Sequence, residues 1–202
     1  MIDLETLGTG SDAMILSVAA VEFNPINGAT KETFYSKVEI DSYKPYTGCF
    51  TMDGATLTWW MTTAPEAARK EAFLGERFPL KTVLENLATW IKARGTVIPW
   101  SHGSCFDIPI LSHSFKILGM ETPWKFWDIR DTRTLYDITG VNLKTLLVTP
   151  AAKAYPEHHA VGDCLRQIEG VRKSYEILNE NKKQADVPSV LTNQKPSKRQ
   201  KQ

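Results

Sequence analysis

Between Gly10-Ser11 and Asn24-Pro25 the chain is almost unbroken in its apolar character, from Ala13 to Phe23 (AMILSVAAVEF). Such a run reads as a strand buried on both faces. Asn24 to Gly28 reads as a turn and Thr33 to Ile40 as a second, partly alternating strand, which together make a hairpin. Asp53 is placed to cap a helix through Leu57, Trp59 and Trp60. From Pro79 to Arg94 the residues Leu80, Val83, Leu84, Leu87, Trp90 and Ile91 recur with a helical period, opened by proline and stopped by Gly95. Thr96 to Trp100 reads as a short strand, and Pro109 to Leu118 as a helix ended by Gly119. A last helix is predicted over 162–178, with Leu165, Ile168, Val171, Tyr175 and Leu178 on one face. Strands followed by alternating helices and strands imply a layered α/β domain.

Composition narrows the class. A chain of 202 residues, 42% hydrophobic and 23% charged, suffices for one well-cored domain. No apolar run approaches the roughly 18 residues of a membrane span. Met1-Ile2-Asp3-Leu4-Glu5 lacks the basic start and apolar stretch of a signal peptide, so a cytoplasmic protein with no membrane partner is expected. Cys49, Cys105 and Cys164 show no CxxC spacing and are expected to be free, buried or half-buried thiols. The net charge of +1 is unevenly shared, because residues 182–202 hold six basic side chains against Asp186 alone. That leaves 18 basic and 22 acidic groups in the first 181 residues. The expectation is a domain over 1–181 and a basic, disordered tail over 182–202. A mildly acidic body does not grip nucleic acid by bulk charge. It suits an enzyme that gathers carboxylates around divalent metal.

Three stretches carry candidate chemistry. In Asp3-Leu4-Glu5, side chains two apart on a strand point to one face. Two carboxylates buried together repel unless a cation sits between them, and oxygen ligands suit Mg²⁺ or Mn²⁺. The pair alone also fits two solvated acids. Asp107 lies within Phe106-Asp107-Ile108-Pro109-Ile110-Leu111, where a strand gives way to a helix, and it fits a helix cap as well as a ligand. In Glu157-His158-His159-Ala160-Val161-Gly162-Asp163, Asp163 opens the last helix and His158 lies in the preceding loop. A loop imidazole there can accept a proton near neutral pH.

Taken in order, D-x-E, strand–Asp–helix and H-x-A-x-x-D resemble the DEDDh branch of the DnaQ-like 3′→5′ exonuclease superfamily. Leu57-Thr58-Trp59-Trp60 with Pro65-Glu66-Ala67-Ala68-Arg69, and Pro123 to Thr134 (PWKFWDIRDTRT), are similar to segments of the phage and prophage exodeoxyribonuclease (DexA-like) group. The resemblance covers about residues 1–178. It implies an RNase H-like fold, a central mixed β-sheet flanked by helices. It implies removal of 3′-terminal nucleotides as 5′-mononucleotides, with Asp3, Glu5, Asp107 and Asp163 binding two Mg²⁺ or Mn²⁺ ions. His158, rather than His159, takes the place of the general base. The substrate implied is nucleic acid with a free 3′ end, single-stranded DNA foremost. An exoribonuclease on the same scaffold is the alternative, since a mycobacterial relative with a similar segment acts on RNA. A non-catalytic binding module is disfavoured because all five residues are present.

Two departures accompany the resemblance. Only Met1 and Ile2 precede Asp3, so the first strand is either clipped and frayed or begins upstream. Ser101-His102-Gly103 stands where relatives carry Asn before Gly, and His102 is read as a surface-loop histidine. Around the D-x-E, the backbone of Thr6 and an apolar wedge at Leu7 are expected to touch the terminal nucleotide. Phe106 is expected either to pack on a base or to join the core. Trp59 and Trp60 cannot share one buried helix face, so either both are partly buried in the core or one of them, Trp60 being the candidate, serves as a stacking platform or homodimer contact. Arg130 and Arg133 meet phosphate or pair with Asp128 and Asp131, the local ion pair being favoured. Trp90, Trp100, Trp124 and Trp127 are expected in the core.

Overall fold

The computed structural model describes residues 1–147 and 149–185. The apolar run forms β2 (Ile15–Phe23), flanked by β1 (Ile2–Thr6) and β3 (Thr30–Lys37) in the antiparallel order β1-β2-β3. The hairpin is as expected, although β3 starts and ends earlier. Val38 leaves the ladder and a 3-10 helix occupies Ile40–Tyr46. Val18 and Ala20 of β2 face one cluster of buried residues while Ala19 and Val21 face another, so the strand is buried on both sides. β1 is not frayed, because each of its five residues has a partner on β2. An irregularity between Glu5 and Thr6 lets Leu16 bulge towards a third cluster.

The helices are α1 (Gly54–Thr62), α2 (Glu66–Phe73), α3 (Leu80–Lys92), α4 (Asp107–Ile117), α5 (Thr132–Thr139), α6 (Pro150–Lys153) and α7 (Ala160–Ala185). Asp53 caps α1 by accepting from the Ala55 amide. In α3 the predicted stripe is buried except for the partly exposed Trp90, and it covers one sheet face together with Ile108, Ile110, Leu111 and Phe115 of α4. Each fully buried aliphatic side chain there is worth roughly 2 kcal/mol. The other face is covered by α7 through Ala160, Val161, Cys164, Ile168 and Val171. α7 is longer than predicted and runs four residues into the segment expected to be a tail; 186–202 lie outside the described residues.

The predicted strand 96–100 shrinks to β4 (Trp100–Ser101), which pairs in parallel with β5 (Arg130–Asp131). Pro99 has no amide to donate to a ladder, although its carbonyl accepts from Arg130. β4 packs against β1, but the described strands form two ladders rather than one mixed sheet. The architecture is therefore mixed α/β, with helices on both faces of a small sheet.

Three expectations about burial change. Trp127 is 60% exposed, beside an equally outward Phe126, because a 3-10 turn over Phe126–Asp128 lifts both off the core. Cys105 is exposed, whereas Cys49 is half-buried and Cys164 buried, all as free thiols. His102 is half-buried rather than a surface residue, its Nδ1 lying 2.9 Å from the Thr132 hydroxyl. Among the described residues no helix is long and apolar enough to cross a membrane.

Candidate active site

Strand alternation decides where the first two acids go. Ile2 and Leu4 enter the α3–α4 side of the core, so Asp3 and Glu5 point to the α7 side. There Asp3 Oδ1 accepts a 2.8 Å hydrogen bond from Gln167 Nε2 of α7. Asp107 reaches the same place from the sheet edge. It stands at the first turn of α4, 3% exposed, and its Oδ1 accepts from the Leu4 amide of β1 at 3.1 Å. Pro109 is tolerated in that first turn, where no intrahelical donor is needed. Asp163 lies in the first turn of α7 and is held by Arg166 Nη1 at 2.6 Å.

The two adjacent histidines have different fates. His159 is buried, stacked on Tyr35 with ring centroids 4.8 Å apart and packed against Tyr155. Its Nδ1 accepts from the Val161 amide, and its carbonyl accepts from the Asp163 amide, so it caps α7. His158 has φ +57, the one positive value among the described non-glycine residues. That conformation costs about 1 kcal/mol and turns the imidazole the other way. Ligand atoms of Glu5, His158 and Asp163 all lie within 4.8 Å of one another. Arg166 steadies the loop that carries His158 by donating to the carbonyls of Tyr155 and Pro156.

Concentrating four acids has an electrostatic cost. Burial, then repulsion from Asp107, Asp163 and Glu5, raises Asp3 well above the usual carboxylate range. Glu5 is raised well above it by burial and by Asp163 and Asp107. Asp107 is pushed up to about 7, chiefly by burial, against the lowering effect of hydrogen bonds and the nearby Arg133 charge. Burial also raises Asp163, opposed by Arg166. Acids held in this state are stabilised by a cation. Hard oxygen donors with one imidazole fit a divalent ion of the Mg²⁺ or Mn²⁺ type.

A cleft of about 430 Å³ opens beside Glu5, lined also by Thr6, Asp53, Trp59 and Phe106. The tryptophan question is settled by packing. Trp60 is 1% exposed, with its indole N–H donating to the Thr6 carbonyl at 2.9 Å, so it anchors α1 in the core rather than offering a stacking face. Trp59 is partly exposed and faces His158. Leu7 is 2% exposed, packed with Leu16 and Trp60, and is a core residue rather than a wedge. Arg130 donates to the carbonyls of Trp127 and Ile129 and forms no ion pair among the described residues. Gln167 and Arg166 were not among the expected site residues, although their i+4 and i+3 spacing from Asp163 on α7 is a signal that could have found them.

An exodeoxyribonuclease of enterobacteria phage T4 is 27% identical over 196 residues, an alignment that takes in 83% of this chain and 85% of the phage enzyme. The model of the 3′-5′ exoribonuclease Rv2179c-like domain matches residues 1–175. The chain belongs to that exonuclease domain family, and it is a nuclease.

Proposed function

We propose that this protein is a 3′→5′ exonuclease that removes terminal nucleotides from single-stranded DNA as 5′-mononucleotides. The observation that carries the proposal is the convergence of Glu5, His158 and Asp163 at one point of the sheet, with Asp3 and Asp107 on the same β1 edge. Asp3, Glu5, Asp107 and Asp163 are the groups to hold two Mg²⁺ or Mn²⁺ ions. Bound there, the cations supply charge neutralisation at phosphate and acidify water for an in-line displacement. The residues do the rest. His158, facing Glu5 and Asp163, accepts the proton of the attacking water. Gln167 orients Asp3, Arg166 orients Asp163, and the Leu4 amide orients Asp107. Trp59 and Phe106 offer apolar surface to a base irrespective of its identity. An RNase H-like fold is part of this reading.

A second reading, 3′→5′ exoribonuclease, is favoured by the description of the matched family, as the DNA reading is by the phage relative. The two differ in whether the terminal 2′-hydroxyl is engaged. Matched 3′- and 5′-labelled DNA and RNA strands, digested with Mg²⁺ or Mn²⁺ and with EDTA controls, test both. Stepwise shortening from the 3′ end is expected, faster on DNA. Shortening of RNA alone moves the assignment to the second reading, and no metal-dependent shortening of either strand overturns both.

A further inference from the structure

The RD-x-R segment expected to pair internally does not. The Asp131 carboxylate is fully engaged: it accepts from the amides of Gly103, Ser104 and Arg133 and from the Ser104 hydroxyl. It thereby ties the 102–104 loop to the start of α5. Arg133 is left without a carboxylate within ion-pair distance among the described residues. Its guanidinium lies over Gly103, where φ is +94 and a Cβ would stand 3.0 Å from Arg133 Cζ. The positive φ favours glycine, and a Cβ there would also push the guanidinium a few tenths of an ångström away.

Arg133 borders an open cleft of about 490 Å³ whose charged or titratable walls are His102, Lys144, Tyr136 and Asp137. Arg133 and Lys144 are both exposed there. The position relative to the carboxylates is what gives the cleft meaning. The Arg133 charge acts on Asp107, and the His102 ring is 5.7 Å from that of Tyr136, whose hydroxyl donates to the Gln167 carbonyl at 2.6 Å. The cleft is therefore joined through Tyr136 of α5 and Gln167 of α7 to Asp3. Arg133 and Lys144, neither in an ion pair among the described residues, add positive charge beside the acidic centre.

We infer that the Arg133–Lys144 cleft is a subsite for an internal backbone phosphate of the strand being shortened. Arg133 is the principal contact, and Lys144 and His102 are lesser ones. The inference rests on the exonuclease reading, which leaves internal phosphates without an assigned partner. Arginine suits the task because its fork meets phosphate oxygens in pairs. Backbone contact of this kind is blind to base and sugar.

The test compares wild type with Arg133→Gln on oligothymidylates and oligouridylates of graded length, and on the p-nitrophenyl ester of thymidine 5′-monophosphate, which has no internal phosphate. KM for the long oligomers should rise about tenfold more than KM for the ester. The slope of log affinity against log salt should fall by about 0.7, the value for one phosphate contact on a single strand. Arg133→Lys should recover part of the affinity and the full salt slope. Equal losses on the ester and the long oligomers, or an unchanged salt slope, would overturn the inference. Binding of a fluorescein-labelled ten-nucleotide thymidylate in EDTA, followed by anisotropy, reads the same subsite without turnover. A weaker Arg133→Gln complex in an inactive protein sinks the exonuclease reading and keeps the cleft. An unaltered complex in an active protein does the reverse.

Discussion

The indole of Trp59 meets the imidazole of His158 edge to face, with ring centroids 4.9 Å apart and planes at 78°. Trp59 itself packs edge-on against the buried Trp60. A histidine in a left-handed backbone conformation is thus braced by a ring that the core holds still. Trp59→Ala should lower kcat about tenfold through loss of that alignment, with Trp59→Phe recovering most of it. Single-turnover rates on a labelled strand check this. An unchanged rate in the alanine variant would show that the brace is not used.

The two histidines should separate cleanly. His158→Ala should cost on the order of 10²–10⁴ in turnover, the usual contribution of a general base. His159→Ala removes a buried ring between Tyr35 and Tyr155 and the cap of α7. It should lower Tm by several degrees and leave kcat nearer wild type. Melting curves and initial rates on both variants are sufficient. The opposite pattern would exchange the roles of the two residues.

Gln167 holds Asp3 through Nε2, while its own Oε1 is buried without a partner among the described residues. Gln167→Leu keeps the volume, gives up one hydrogen bond and removes an unsatisfied acceptor. Stability should change little. Metal affinity should weaken about 10–100-fold, as for other residues that orient a ligand. Calorimetric titration with Mn²⁺ beside a thermal melt distinguishes this from general destabilisation. Unaltered Mn²⁺ affinity would mean that Asp3 needs no such support.

Raised carboxylate pKa values have a definite sign for stability. The folded state binds protons that the unfolded state has already released, so stability is lost as pH rises through the folded pKa. For Asp107 that window runs from about 4 to about 7, and burial and mutual repulsion act on Asp3 and Glu5 in the same sense. Burial holds His102 and His159 towards the neutral form and lowers the Met1 ammonium from 8.0 to about 6; these groups act oppositely, the ammonium between about pH 6 and about pH 8. Between about pH 4 and about pH 7, the Tm in EDTA should therefore fall relative to that of Asp107→Asn, which keeps the opposing groups. Saturating Mg²⁺ should abolish the fall. Asp3→Asn should raise Tm in EDTA while eliminating activity, since it removes one of four repelling charges. A difference in Tm, wild type minus Asp107→Asn, that grows with pH over this interval would contradict the electrostatic account.

Much of the local structure was legible in the chain. The β2 run announced a strand buried on both sides, the spacing of Leu80 to Ile91 between Pro79 and Gly95 announced α3, and alternation put Asp3 and Glu5 on one face. These follow from side-chain periodicity and from proline and glycine geometry, which act over a few residues. The strand over 96–99 failed because Pro99 breaks the donor pattern. Trp127 was misread because a lone tryptophan carries no period that reveals its side of a turn.

By itself, then, the sequence determined the β2–β3 hairpin and helices α1, α3, α4 and α7, the order of the five candidate residues and the face that the first two acids occupy. Tertiary structure alone gave His158 and His159 their different surroundings, buried Trp60 and Leu7 while leaving Trp59 at the cleft, and freed Arg133 from its neighbouring acid. It also set Gln167 on Asp3 across 164 positions and Asp107 on the Leu4 amide across 103. Those choices depend on which groups meet after the helices close on the sheet. Neighbours brought together at such separations leave no periodic trace in one sequence.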